Sequence, residues 1–174
     1  PQKGYPVLVD AATRWRKLDP RPVVVIAGAG PSHSQLAARI HAQNAPVTLL
    51  GHRNDVADLL AAADLAVVSS VWEGRQLFAQ EALRAGVPLV TTRAGGNQEL
   101  VGDAAVLVPP GDVDALDAAV RQLLGDSALR AEYRRRALAR AASWPTEADT
   151  LDQLTAIYAD LAPTPQSPAR KAVG

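Results

Sequence analysis

Short runs of β-branched and aliphatic residues alternate with helical patterns along this chain, and this alternation constrains the fold more than any other feature. The runs lie at residues 23–27, 47–50, 65–68, 89–91 and, more weakly, 105–108. Helical patterns with apolar residues three and four apart occur at 5–18, 34–43, 56–62, 77–85 and 97–101. Short strands that alternate with helices imply βαβ crossovers, so the sequence predicts a three-layer α/β fold with a doubly wound parallel sheet. The continuous apolar run at 23–27 predicts a strand that is buried on both faces.

The pattern changes after Gly111, where only helices are predicted, at 113–124, 129–141 and 147–161. Residues 1–161 are therefore predicted to form one domain that ends in C-terminal helices. Residues 162–174 combine several prolines with polar and charged residues, and we expect them to form a disordered tail.

The composition excludes several classes of function. With 18 basic and 18 acidic side chains the formal net charge is zero, so no broad field favours nucleic acid, and phosphate recognition must be local. The absence of cysteine excludes disulfides, thiolate metal sites and a thiol nucleophile. No apolar run approaches the roughly 18 residues that span a bilayer, and no signal-peptide pattern is present, so we expect a cytoplasmic protein.

Residues 69–88 are the most informative stretch for function. They place Glu73 and Glu81 eight positions apart, the first on the loop after a strand and the second in the following helix. Two carboxylates eight residues apart on a single helix would be separated by about 12 Å, which disfavours a glycosidase-type acid and base pair. The first N–H groups of that helix predict an anion site near residues 76–78. The loops that follow the strands, which contain Gly28, Gly51, residues 69–74 and residues 92–96, should converge at one sheet edge.

This spacing resembles the E-x7-E signature of the retaining family 4 glycosyltransferases, also called glycosyl transferases group 1, which have the GT-B fold. Further segments resemble that family in order and spacing: Lys3-Gly4, residues 25–31, 47–52, 63–65, 95–99 and 108–112. The resemblance covers about residues 3–161. It implies that this chain is the Rossmann-like, donor-binding C-terminal half of a GT-B enzyme. Since the chain lacks methionine and begins inside the Lys-Gly motif, we expect it to be a piece of a longer protein.

The resemblance assigns roles to the acidic and basic residues. Glu81 corresponds to the glutamate that binds the ribose hydroxyls, and a carboxylate with two acceptor oxygens suits a vicinal diol. Glu73 corresponds to the residue that faces the hydroxyls of the donor sugar. Lys3 corresponds to the lysine that neutralises charge on the leaving diphosphate. Glu73 and Lys3 are thus the predicted catalytic residues.

Other positions are predicted to bind the nucleotide part of the donor. Gly74 permits close approach to phosphate, and Leu77 and Phe78 offer backbone N–H groups. Arg75 and Gln76 replace the Phe-Gly or Phe-Pro of the family, and Arg75 either reaches the diphosphate or points into solvent. The remaining candidates lie on neighbouring loops. Gly95 and Gly96 are predicted to approach the sugar and phosphate. Gly28 and Gly30 lie on the first loop, and His52 and Arg53 lie on the loop beside the nucleobase.

Three patterns that suggest other chemistry are rejected. Gly28-Ala29-Gly30 is not a dinucleotide fingerprint, because His33 stands in place of its third glycine. Asp112-Val113-Asp114 spells D-x-D, but its position predicts an N-cap and a first-turn aspartate rather than a metal site. Three consecutive arginines at 134–136 point in different directions on a helix and do not make one binding face.

The sequence therefore predicts metal-independent transfer of a sugar, with retention, from a nucleotide diphosphate sugar, without any cofactor. The acceptor, a carbohydrate or a lipid, would be bound by an N-terminal domain that this chain lacks. Three matters stay open: peripheral association with the inner membrane face, dimerisation through the last helix, and the identity of the sugar and base. The alternatives are a GT-B epimerase or phosphorylase, and a noncatalytic nucleotide-binding module.

Overall fold

The computed structural model describes residues 1–161 and divides them into two compact units, residues 1–142 and a unit that begins at Ser143. The first unit contains the predicted alternation of helices and parallel strands, and the α/β fold class is confirmed. Its elements are α1 (Tyr5–Trp15), β1 (Val24–Ala27), α2 (His33–Gln43), β2 (Val47–Gly51), α3 (Val56–Ala62), β3 (Ala66–Val68), α4 (Leu77–Arg84), β4 (Leu89–Thr92), α5 (Asn97–Val101), β5 (Val106–Val108), α6 (Val113–Gly125) and α7 (Ser127–Ala142).

The strands form two parallel ladders. β1 pairs with β2, with Val24 opposite Val47, while β4 lies between β3 and β5. Among the described residues β1 and β3 do not pair, so the single sheet that the sequence predicts is present as two separate ladders. Every pairing is parallel, which brings the loops after β1 and β2 to one ladder end and the loops after β3, β4 and β5 to another.

One hydrophobic core joins the two ladders. It includes Ile26 of β1, Val47 of β2, Val90 of β4 and Val108 of β5. Helix α1 adds a buried face and ends at Trp15, three residues earlier than predicted, where a turn brings the Leu18 N–H to the Trp15 carbonyl. Each large apolar side chain that is fully buried stabilises the fold by about 1.5–3 kcal/mol.

The prediction that residues 23–27 are buried on both faces is wrong. Val23 is 86% exposed and Val25 is 46% exposed, whereas Ile26 is 7% exposed and lies in the core. Because successive side chains of a strand point to opposite faces, this contrast shows that one face of β1 is uncovered. β-branched residues favour an extended backbone whether or not both faces are packed, so the run predicted the strand correctly but not its burial.

The arginines of α7 cap other helices. Arg130 donates at 2.7 Å to the carbonyls of Leu123 and Leu124 at the end of α6, and Arg140 donates to two carbonyls of α5. Arg136 pairs with Glu132 on its own helix. Cations near the last carbonyls of a helix favour its dipole. Of the three consecutive arginines, Arg136 is engaged in the pair with Glu132, whereas Arg134 and Arg135 are exposed.

The second unit contains α8 (Glu147–Leu161), which begins at a reciprocal cap. The Thr146 N–H donates to Asp149 Oδ2 at 2.8 Å, and the Asp149 N–H donates to Thr146 Oγ1 at 3.1 Å. Hydrogen bonds from Thr146 lower the pKa of Asp149 below its usual range. Several apolar side chains of α8 are exposed: Leu151, Leu154, Ile157, Tyr158 and Leu161. Dimerisation through this helix stays a prediction, and the predicted tail lies outside the described residues.

Within residues 1–161, none of the helices has both the length and the apolar character required to cross a bilayer.

Candidate functional site

The loop between β3 and α4 holds Glu73 in a fixed position. This carboxylate is only 6% exposed, and a single oxygen, Oε1, accepts three hydrogen bonds. Lys3 Nζ lies 2.6 Å from that oxygen, Ser70 Oγ lies 2.6 Å away and Gln76 Nε2 lies 2.8 Å away. The other oxygen, Oε2, accepts no hydrogen bond from the described residues. It is not buried, so it remains accessible. Glu73 therefore has one occupied oxygen and one that is available to a ligand.

The first residues of the chain are bound to this loop through their backbone. The Val71 N–H donates to the Gln2 carbonyl at 2.9 Å, and Ser69 Oγ donates to the Lys3 carbonyl at 3.0 Å. Gly4 has φ +62°, and a Cβ at this position would lie 1.9 Å from the Ser69 carbonyl oxygen. Only glycine fits there, which explains why a glycine follows the lysine: it allows the backbone contact that places Lys3 next to Glu73.

The glycine pair after β4 packs on the same loop from the other side. A Cβ on Gly95, which has φ +53°, would lie 1.7 Å from the Glu73 carbonyl oxygen, and one on Gly96 would lie 2.9 Å from the Gly74 carbonyl oxygen. Thr92 Oγ1 also donates to the Ser70 carbonyl at 2.6 Å. The sequence assigned these glycines to the donor sugar and phosphate. In the structure their backbone directly contacts the loop that carries Glu73.

Helix α4 begins at this site with free backbone donors. Its N-cap is Gln76, whose side chain makes no cap hydrogen bond because its amide donates to Glu73 instead. The inner face of the helix is buried and includes Ala79, Ala82 and Leu83. The N–H groups of the first turn therefore stay available to an anion next to Glu73.

Glu81 lies on the exposed side of α4, one helical turn after Leu77. Its carboxylate makes no hydrogen bond or ion pair with any described residue. Arg75 is exposed on the preceding loop and likewise has no partner among residues 1–161. Both side chains could bind a ligand, and neither is needed for an internal contact.

The loops after β1 and β2 form a second group. The Gly28 N–H donates to the Gly51 carbonyl at 2.6 Å, and Gly28 and Gly30 have open space where a Cβ would be. His52 Nε2 lies 3.0 Å from Asn54 Oδ1. Arg53 binds Asp55 through two nitrogens, and the hydrogen bond to Arg53 lowers the pKa of Asp55. Both side chains are thus occupied by their own loop.

The structure brings some of the predicted residues together and leaves others in a separate group. Lys3, Glu73 and Gln76 meet through side chains, and Gly74, Gly95 and Gly96 meet through backbone. Within residues 1–161 no hydrogen bond joins them to Gly28, Gly30, His52 or Arg53.

Of the three side chains that hold Glu73, Lys3 and Gln76 were predicted site residues, and sequence reasoning missed Ser70. Ser70 stands three residues before Glu73, and no local sequence signal reveals that its hydroxyl donates to Glu73 Oε1. Tyr5 also lies near the ion pair of Lys3 and Glu73. Burial raises the pKa of the Tyr5 hydroxyl, the charge of Lys3 lowers this pKa, and the charge of Glu73 raises it; the net pKa is raised.

Asn97 is fully buried and donates to Thr91 Oγ1 at 3.1 Å and to the Thr92 carbonyl at 3.2 Å.

The D-x-D pattern serves the fold, as predicted for Asp112. Its Oδ1 accepts the Ala115 N–H at 2.8 Å and so caps α6. Asp114 pairs with Arg14 of α1 at 2.6 Å. Residues 1–161 contain no group of three or more histidine, cysteine, aspartate or glutamate side chains that could hold a metal ion.

Comparison with known proteins agrees with this fold and loop arrangement. The model of the family "Glycosyl transferases group 1" matches residues 1–126. This chain therefore belongs to the glycosyl transferases group 1 family, and its fold is the Rossmann-like half of a GT-B fold.

Curated relatives match most of this chain. Glycogen synthase of Mycobacterium tuberculosis (strain ATCC 25618 / H37Rv) is 36% identical over 178 residues, which cover 96% of this chain and 43% of that protein. MMP alpha-(1->4)-mannosyltransferase of Mycolicibacterium hassiacum is 36% identical over 131 residues, which cover 71% of this chain and 32% of that protein. The chain spans less than half the length of these relatives.

A solved structure, that of Anabaena HepE in complex with UDP-glucose, has the same fold. It matches with a TM-score of 0.80 at 27% identity and covers 93% of this chain and 46% of HepE.

Proposed function

We propose that this chain is the donor-binding part of a glycosyltransferase that moves a sugar, with retention, from a nucleotide diphosphate sugar to an acceptor. One observation carries the proposal. Lys3 and Glu73 form an ion pair of 2.6 Å next to the uncapped start of α4, and the backbone of Gly95 lies against the Glu73 backbone. A cation, a carboxylate and free N–H groups thus occur within one small region.

In this proposal the nucleotide lies along α4. The diphosphate binds the N–H groups of Leu77 and Phe78, because the start of a helix attracts negative charge. The ribose hydroxyls donate to Glu81, about one turn further along the helix. The free carboxylate of Glu81 and the exposed surface of α4 around it support this placement.

Glu73 and Lys3 would act on the reacting end of the donor. Glu73 offers a buried, oriented negative charge to the sugar hydroxyls and to positive charge that develops at the sugar carbon. Lys3 offers positive charge to the leaving diphosphate, and its Nζ is already held at the site by Glu73 Oε1. Gly74 would let the phosphate approach the backbone, and Arg75 would add a second cation from the exposed loop.

We propose that the transfer uses neither a metal nor a cofactor. Support comes from what the carboxylates of this chain do. Asp112 is used as a helix cap and Asp114 in an ion pair, so the D-x-D pattern is engaged in the fold. Neutralisation of the leaving diphosphate then falls to Lys3 and to the start of α4.

The comparisons support a nucleotide sugar as the ligand. The HepE structure is a complex with UDP-glucose, and two curated relatives are named as a synthase of glycogen and a mannosyltransferase. We propose that the acceptor, a carbohydrate or a lipid, binds to a part of the protein outside these 174 residues. The chain by itself should therefore bind donor and turn over little.

Titration calorimetry of the chain with UDP-glucose, GDP-mannose and ADP-glucose tests the proposal. One of the three should bind. Glu81→Gln, which keeps the size and removes the charge, should weaken that binding by about 10- to 100-fold, because hydrogen bonds to charged groups contribute about 1.5–3 kcal/mol. Glu147→Gln, at an exposed position of α8, is the matched control and should leave affinity unchanged. Equal affinities of wild type and Glu81→Gln would overturn the assignment.

A further inference from the structure

Glu73 uses only one of its two carboxylate oxygens in hydrogen bonds with the described residues. All three of its hydrogen-bond donors, from Lys3, Ser70 and Gln76, converge on Oε1. A carboxylate oxygen has two lone pairs, so three donors within 2.8 Å saturate it. Oε2 has none of these partners and is not enclosed.

Two of the three donors come from the loop itself. Ser70 is 1% exposed and Gln76 is 8% exposed, so both side chains are packed and have little freedom. Lys3 differs from them, because its side chain is 45% exposed and it reaches Glu73 from the chain start. The neutral donors therefore fix the orientation of the carboxylate, and Lys3 could leave for an anionic ligand without releasing it.

We propose that Ser70 and Gln76 are positioning residues that hold Glu73 by Oε1 and so present Oε2 alone to a hydroxyl of the donor sugar. This inference rests on the proposed function. Gln76 gives the sharper test of the two, because it lies at the N-cap of α4 and its side-chain amide is used for the 2.8 Å hydrogen bond to Oε1 and not for a cap.

The consequence is that Gln76 contributes to recognition of the sugar and not of the nucleotide. Without Gln76, Glu73 keeps only one of its two neutral donors and is less firmly oriented, which weakens the directed hydrogen bond to the sugar hydroxyl. Glu81 and the start of α4 would still bind ribose and diphosphate. Loss of Gln76 should therefore lower affinity for the nucleotide sugar and leave affinity for the nucleotide diphosphate unchanged.

The test takes whichever of UDP-glucose, GDP-mannose and ADP-glucose binds the wild type and compares it with its own nucleoside diphosphate by calorimetry on the whole chain, in wild type, Gln76→Ala and Gln76→Glu. Both variants should reduce the ratio of the two affinities by about tenfold, equivalent to about 1.4 kcal/mol, with affinity for the nucleoside diphosphate unchanged. Gln122→Glu is the matched control, because Gln122 is exposed on α6 and makes no side-chain hydrogen bond with described residues. A loss that is equal for both ligands, or no loss, would overturn the proposal.

A pH series separates positioning from a merely structural role. In Gln76→Glu the introduced carboxyl faces Glu73, with Lys3 and the Tyr5 hydroxyl as the other titratable groups nearby. When the pH falls, that carboxyl takes up a proton and can again donate to Oε1, so the affinity ratio should recover. A ratio that is constant with pH would contradict the proposal, since folding damage would not be repaired in this way.

A measurement without ligand distinguishes this proposal from the proposed function. The NMR signals of the Gln76 side-chain amide should shift when Glu73 is protonated and should not shift in Glu73→Ala. If the wild type binds none of UDP-glucose, GDP-mannose and ADP-glucose, the proposed function fails, and the sugar-facing role of Oε2 fails with it. An unshifted amide with intact binding would overturn the positioning role alone.

Discussion

A methyl group added at Gly95 tests the loop contact on which the site depends. In Gly95→Ala the new Cβ would lie 1.7 Å from the Glu73 carbonyl oxygen, less than half of an ordinary contact distance, at a backbone φ of +53°. Two separate costs result. An alanine in the left-handed region costs about 1–2 kcal/mol, and forced overlap in a packed site costs typically another 1–3 kcal/mol.

Gly51→Ala separates the two costs. Gly51 has φ +68°, similar to that of Gly95, but nothing lies within 4 Å of its added Cβ. This variant therefore measures the backbone strain alone. The difference between the two variants estimates the overlap, about 2 kcal/mol, because the Glu73 carbonyl belongs to backbone that cannot rotate away as a side chain could.

Thermal unfolding followed by circular dichroism measures this difference. For a chain of this length, 1 kcal/mol lowers Tm by about 2–4 °C, so Gly95→Ala should melt about 4–8 °C below Gly51→Ala. Only Gly95→Ala should also weaken UDP-glucose binding, since it displaces the loop that holds Glu73. Equal melting temperatures for the two variants would refute the close packing of Gly95 on that loop.

Three further predictions concern the scaffold. Burial alone would raise the pKa of Asp10, but hydrogen bonds from Arg39 and Gln43 lower it below its usual range, so its contribution to stability is complete above about pH 4 and is lost as pH falls through the lower folded-state pKa. In urea titrations, Asp10→Asn should destabilise at pH 7 and much less at pH 3; an equal loss at both would contradict the ion pair. Asp112→Ala should cost about 1 kcal/mol of unfolding free energy by removing the α6 cap, and an unchanged urea midpoint would contradict this. Leu83→Ala, at a fully buried position of α4, should cost about 2–5 kcal/mol in the same assay, and a cost below about 1 kcal/mol would show that α4 is not packed as described.

The sequence predicted the order and type of the elements well because each short strand and each helix had its own local signal. Periodicity placed the boundaries of α4 within one residue, and the Asp112 cap followed from its position before an apolar helix. Local signals failed where burial depends on distant neighbours. The exposure of Val25 and the separation of the strands into two ladders depend on what lies beside β1, which a run of valines does not encode.

The site was predicted in part for the same reason. The alternation of strands and helices predicted that the loops of Glu73 and Gly95 meet at one sheet edge, because parallel strands end there, whereas Lys3 was assigned only by the family resemblance. The loops of Gly28 and Gly51, predicted at the same edge, follow the strands of the other ladder. The convergence of Lys3, Ser70 and Gln76 on one oxygen of Glu73 was not predictable, since it depends on side-chain directions in a loop whose conformation is set by Gly4 and Gly95.

The most direct test of the central claim is a double-mutant cycle between Glu81 and the ribose of the nucleotide. The ligands are the nucleoside diphosphate of whichever of UDP-glucose, GDP-mannose and ADP-glucose binds the chain, and the 2′-deoxy form of that nucleoside diphosphate. Their affinities are measured by calorimetry with wild type and with Glu81→Gln. If Glu81 binds the ribose hydroxyls, removal of the hydroxyl should weaken binding to wild type about tenfold and should have little further effect on the variant. Additive losses, or a wild-type chain that does not distinguish the two nucleotides, would contradict a nucleotide sugar bound along α4.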